Sequence, residues 1–130
     1  MSASSGMADF NLSLALCGRK ARQRSKAEIA AITLNLFSKI VAQTPVDTGV
    51  ARSNWNLSVG SEDSSFSTDR KSPEPALEKA AVDVQTLDLG DEVYITNATS
   101  YIRKLEEGSS KQAPSGWVKV AVEQTRRRLK

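Results

Sequence analysis

Thr44-Pro45-Val46-Asp47-Thr48-Gly49 separates the strongest helical pattern of the chain from its strongest alternating one. Pro45 has no amide hydrogen and restricts Thr44 to extended backbone, so the helix before it should stop near Gln43. Asp47 can accept from the backbone two residues on, which predicts a tight turn, and Gly49 can take a positive φ at no steric cost. Upstream, Ile29, Ile32, Thr33, Leu36, Phe37 and Ile40 recur at helical spacing, and Leu34 and Val41 widen the stripe. Downstream, Trp55, Leu57 and Val59 alternate with Asn56 and Ser58, which predicts a strand over Arg52–Gly60 with Trp55 as a core anchor. A rigid turn between the two sets the angle of a helix on a sheet.

Outward from this joint, Ser25-Lys26-Ala27-Glu28 matches a capping box at the start of the helix. Good helix formers before it leave open a longer helix from about Arg19. Asp9–Leu16 alternates, with Phe10, Leu12, Leu14 and Leu16 on one side, and reads as a short edge strand. From Ser61 to Pro75 almost no apolar residue occurs, which predicts a long loop, mobile at about 61–72. Glu74–Gln85 suits a helix with Pro75 in its first turn and Leu77, Ala80, Ala81 and Val84 inward. Glu92–Asn97 is a strand. A short helix over Ser100–Glu107 ends at Gly108, a loop held by Pro114 follows, and Trp117–Leu129 forms the last helix. The fold class is α+β: a long N-terminal amphipathic helix packed on a small, mainly antiparallel β-sheet, with a C-terminal helix. A flexible tail over residues 1–8 precedes a single domain over 9–130.

With 130 residues the chain has the length of one domain. Aromatic residues make up only 5%, so the core must be built from Ala, Val, Leu and Ile. That leanness fits a subunit that completes its burial against neighbours. Catalysis has little to work with. There is no histidine, the commonest general base and metal ligand at neutral pH. Cys17 stands alone, which excludes an internal disulfide, offers no zinc motif and suits a reducing cytoplasm. Asp91-Glu92 and Glu106-Glu107 are adjacent pairs whose carboxylates diverge, and Gly108 and Gly116 form no phosphate cradle. The expectation is no enzyme, no cofactor and no metal. No run approaches the ~18 apolar residues of a membrane helix, and the first residues lack the pattern of a secretory signal.

The net charge of +3 is segregated. Arg19, Lys20, Arg22, Arg24 and Lys26 form one basic cluster, and Arg126, Arg127, Arg128 and Lys130 another. Without these nine, nine basic residues face fifteen acidic ones, so the remainder carries −6. Such clusters can bind phosphate backbone without reading sequence, cap helix ends, or meet acidic protein surfaces.

Two blocks carry a family resemblance. The first is Thr44-Pro45-Val46-Asp47-Thr48-Gly49 followed by Arg52 and Trp55; the second runs from Tyr101 through Glu106-Glu107-Gly108-Ser109-Ser110-Lys111-Gln112-Ala113-Pro114 to Gly116-Trp117-Val118. In this order and separation they resemble the tail-completion (neck) proteins of long-tailed bacteriophages, the group of lambda minor tail protein Z. The matched region spans about Asp9 to Val122. Val50, where relatives often carry Arg, and the basic N-terminal stretch depart from the pattern. The resemblance implies a structural virion protein, assembled in the host cytoplasm, that forms a ring, by resemblance hexameric, at the head–tail junction. Head-completion or connector proteins and the tail terminator and tube would be its partners, with genomic DNA passing through the channel unread. Pro45, Asp47 and Gly49 would set the structural turn. Gly108, Lys111, Gln112 and Pro114 would shape a second loop, with Lys111 and Gln112, like Arg126, Arg127 and Arg128, placed to contact a neighbouring subunit or partner. The alternative is a small basic nucleic-acid-binding module, for which no helix-turn-helix, zinc-finger or aromatic RNA-binding motif is present.

Overall fold

Ser25 begins the main helix as the capping box predicts: its hydroxyl accepts from the Glu28 amide at 3.1 Å, and the Glu28 carboxylate reaches back to the Ser25 amide at 3.5 Å. The computed structural model describes residues 10–15, 25–45, 49–88, 91–100, 102 and 116–129. Its elements are β1 (Phe10–Ala15), α1 (Lys26–Gln43), α2 (Val50–Ser53), β2 (Trp55–Val59), α3 (Glu74–Asp83) running into a 3-10 turn (Val84–Thr86), β3 (Glu92–Asn97) and α4 (Trp117–Leu129). The fold is α+β. The expected tail at 1–8 and the basic stretch 19–24 lie outside the described residues.

The sheet has three strands in the order β1-β3-β2, both pairs antiparallel. β3 is central: after β2 the chain runs out through α3 and returns between the other two strands. Its register sets Ile95 opposite Leu57 and Val93 opposite Val59 on one side, and Leu12 and Leu14 against the same two residues on the other. One hydrophobic cluster joins the inner stripe of α1 (Leu36, Phe37 and Ile40 fully buried) to Trp55, Leu57, Val93 and Ile95 of the sheet. Ala80 and Val84 close it from α3, and Trp117, Val118 and Ala121 from α4. The period-3.6 and period-2 stripes thus meet as one core.

One boundary differs from the sequence expectation. The strand expected over Arg52–Gly60 begins only at Trp55, because Val50–Ser53 forms a single helical turn. Gly49 at φ 78° starts that turn, the Ser53 amide donates to its carbonyl at 3.0 Å, and Asn54 redirects the chain into β2. On α3, Ala80 and Val84 are buried while Leu77 and Ala81 are only half-buried. No helix of the described residues is long and apolar enough to cross a membrane.

Candidate functional site

A helix ends with carbonyls that have no partner of their own, and the last turn of α1 is where the motif residues gather. The Thr44 hydroxyl donates to the Ile40 carbonyl at 2.7 Å and accepts from Trp55 Nε1 at 2.9 Å. Trp117 Nε1, from the far end of the chain, donates to the same Ile40 carbonyl at 3.2 Å. Arg52 lies across the two following carbonyls, donating from Nε to Val41 at 3.2 Å and from Nη2 to Ala42 at 3.3 Å. Both indole donors are therefore satisfied although Trp55 and Trp117 are buried. Thr44 and Arg52 of the first block and Trp117 of the second thus meet on three consecutive carbonyls.

Pro45 is buried next to this hub. Gly49 has a reason beyond its φ: a Cβ there would stand 2.9 Å from the Lys71 carbonyl oxygen. The end of the loop before α3 rests where a side chain would be. Asp47 lies outside the described residues, as do Gly108, Lys111, Gln112 and Pro114.

The loop expected to be mobile lies over the polar side of β2. Asn54 clasps Ser67 in both directions, Nδ2 donating to its carbonyl at 3.0 Å and Oδ1 accepting from its amide at 3.0 Å. Asn56 Nδ2 donates to the Ser65 carbonyl at 2.9 Å, and the Thr96 hydroxyl donates to the Asp63 carbonyl. The Arg70 guanidinium donates to Asn56 Oδ1 and Ser65 Oγ, both at 3.2 Å. Burial alone would push the Asp63 carboxyl up, but hydrogen bonds from Ser65 and the charges of Lys79 and Arg70 hold it below its usual value. A cleft of about 630 Å³ opens between loop and α3, lined by Asp63, Asp69, Arg70, Lys71 and Lys79 among others. Its mixed charge matches no single ion, and Ser53 on its wall keeps a buried hydroxyl without a partner among the described residues.

The three C-terminal arginines are consecutive in sequence and separate on the helix, since neighbours in an α-helix point about 100° apart. Arg126 pairs with Glu123 at 3.3 Å, and Arg128 donates to Asn35 of α1 at 3.1 Å. Arg127 is exposed between them. No group of His, Cys, Asp and Glu among the described residues could hold a metal ion.

Sequence reading missed the asparagines. Buried Asn97 donates to the Ala51 carbonyl at 2.8 Å and accepts from the Thr99 amide at 2.9 Å, tying β3 to α2. The available signal was four asparagines in or beside strands, Asn11, Asn54, Asn56 and Asn97, where amides are depleted unless they have specific partners. No family model, curated protein or solved structure matches the chain.

Proposed function

We propose that this chain is a structural subunit of a long-tailed bacteriophage virion, a tail-completion or neck protein forming a ring at the head–tail junction. The ring would join connector or head-completion proteins to the tail terminator and tube, and genomic DNA would pass through it without being read. The observation that carries the reading is that Trp117 of the second block meets Thr44, Arg52 and Trp55 of the first at the last turn of α1. A motif match by chance would scatter its residues. Here Thr44, Gly49, Arg52, Trp55 and Trp117 each have a part in one joint between helix and sheet, which supports the resemblance as a shared structural unit. The lean core and the absence of histidine favour a role that resides in interfaces.

The test is assembly. Native mass spectrometry and electron microscopy of the purified protein, alone and with tail tubes, should show rings that cap tubes. A monomer or dimer that shifts duplex DNA with steep salt dependence would replace this reading with the nucleic-acid module.

A further inference from the structure

Two helices carry outward stripes of complementary character. On α3, Glu74, Glu78 and Val82 fall four residues apart on one exposed face, and Val82 is 67% exposed. On α4, Val120 and Arg127 lie two turns apart on the outward face, and Val120 is 53% exposed. Charges of the other sign are taken up within each helix: Lys79 pairs with Asp83 at 2.5 Å, and Glu123 pairs with Arg126 at 3.3 Å. Among the described residues no ion pair involves Glu74, Glu78 or Arg127. Each stripe therefore presents an exposed valine; the charge without an ion pair among the described residues is acidic on α3 (Glu74, Glu78) and basic on α4 (Arg127), while the exposed Glu123 between Val120 and Arg127 is taken up by Arg126.

We propose that subunits of the ring meet head to tail, the outer stripe of α3 on one copy seated against the outer stripe of α4 on the next. This rests on the ring reading above and names its interface. The occupant is a second copy of this chain because the two stripes complement each other in charge and both centre on an apolar side chain. A two-fold contact of α3 on α3 or α4 on α4 would set like charges together. α1 packs against both helices, so the stripes occupy different parts of the surface, as a contact that propagates around a ring requires. Arg128 is held by Asn35, which leaves the pairing with Glu78 to Arg127.

The experiment uses the full chain and two charge reversals, Glu78→Arg and Arg127→Glu, with circular dichroism melting to check that each folds. Assembly is followed by native mass spectrometry and sedimentation. Each single variant should assemble at least about tenfold more weakly than wild type, because like charges then face each other across the contact. An equimolar mixture of the two should recover rings, since every α3–α4 contact in an alternating ring again pairs opposite charges. The double variant should assemble alone. Wild-type rings with single variants that assemble normally, or with a mixture no better than its components, would overturn this interface and leave the ring standing. A wild-type protein that forms no ring at any concentration, alone or on tail tubes, would overturn both.

Discussion

Replacing Gly49 with alanine separates two costs that usually arrive together. The residue sits at φ 78°, where an L side chain costs about 1–2 kcal/mol. A Cβ there would also stand 2.9 Å from the Lys71 carbonyl oxygen, closer than real Cβ atoms come, and the obstacle is backbone rather than a flexible side chain. Displacing that carbonyl adds a term of the size seen on overpacking, about 1–3 kcal/mol. Gly60 provides the control: its φ is 88°, and a Cβ there meets nothing within 4 Å. Gly60→Ala should therefore cost only the backbone term, about 1 kcal/mol. Gly49→Ala should cost about 2–4 kcal/mol, and Gly49→Val more, because a β-branched residue tolerates positive φ least. At about 4 °C per kcal/mol for a chain of this size, the two alanine variants should melt several degrees apart. Urea unfolding at 25 °C gives the difference directly. Equal losses at Gly49 and Gly60 would mean that the Lys71 carbonyl does not rest on Gly49, and the seat described for the loop would be wrong.

Thr44→Val should cost about 1–3 kcal/mol, since it removes the hydroxyl that accepts from Trp55 Nε1 and donates to the Ile40 carbonyl, and Thr44→Ser should recover most of it; a valine variant as stable as wild type would contradict the hub. Arg52→Met, which keeps the aliphatic stem, should lose about 1 kcal/mol by uncovering the Val41 and Ala42 carbonyls, read by the same unfolding curves. The loop predicts a pH effect with a definite sign. Asp63 has its folded pKa lowered below 3.8, so its contribution is present above that value and is lost as pH falls through the folded value. In hydrogen exchange at neutral pH the amides of Ser65 and Ser67 should be protected. On acidification below about 3.8 the Ser65 amide, bound to the Asp63 carboxylate at 3.0 Å, should lose protection first, while Ser67, bound to the Asn54 amide oxygen, keeps it. Two unprotected amides at neutral pH would restore the picture of a free arm.

What could be read from the chain was local. The stop at Gln43 follows from Pro45, the start at Lys26 from Ser25 and Glu28, and the limits of α4 from its apolar spacing and the glycine before Trp117. Each depends on residues within a turn or two of the boundary. The single turn of α2 was illegible because four residues are too few to show a period; the bond from the Ser53 amide to the Gly49 carbonyl reveals it. Contacts across the chain were equally hidden. That Trp117 donates to Ile40, or that Asn97 holds Ala51, depends on partners tens of residues away, and neither residue type announces its partner. The loop shows the same limit from the other side. Its lack of apolar residues reads as mobility, and composition says nothing of the ties that backbone carbonyls and asparagine amides make there. Three adjacent arginines read as one patch, while helical geometry gives Arg126 and Arg128 different partners and leaves Arg127 exposed.

The hub and the outer stripes divide the chain's energetics in a way that can be checked. At the end of α1 the described donors and acceptors meet one another: the Trp117 indole, the Thr44 hydroxyl and the Arg52 guanidinium serve the Ile40, Val41 and Ala42 carbonyls, and the Trp55 indole donates to the Thr44 hydroxyl. A network satisfied within the chain stabilises the subunit and has nothing to offer a neighbour. The stripes on α3 and α4 are the reverse. Exposed charges there add little to folding, ~0–1 kcal/mol each, and act where another surface meets them. Thr44→Val should therefore lower the melting temperature while leaving the distribution of assembled masses unchanged well below that temperature. Arg127→Glu should leave the melting of the dissociated subunit within about 2 °C of wild type, as exposed substitutions do, and weaken ring assembly at least about tenfold. Measured side by side, the two variants should fall on separate axes. Loss of stability and loss of assembly in both would mean that the helix–sheet joint and the subunit interface are one structure, and the division argued here would fail.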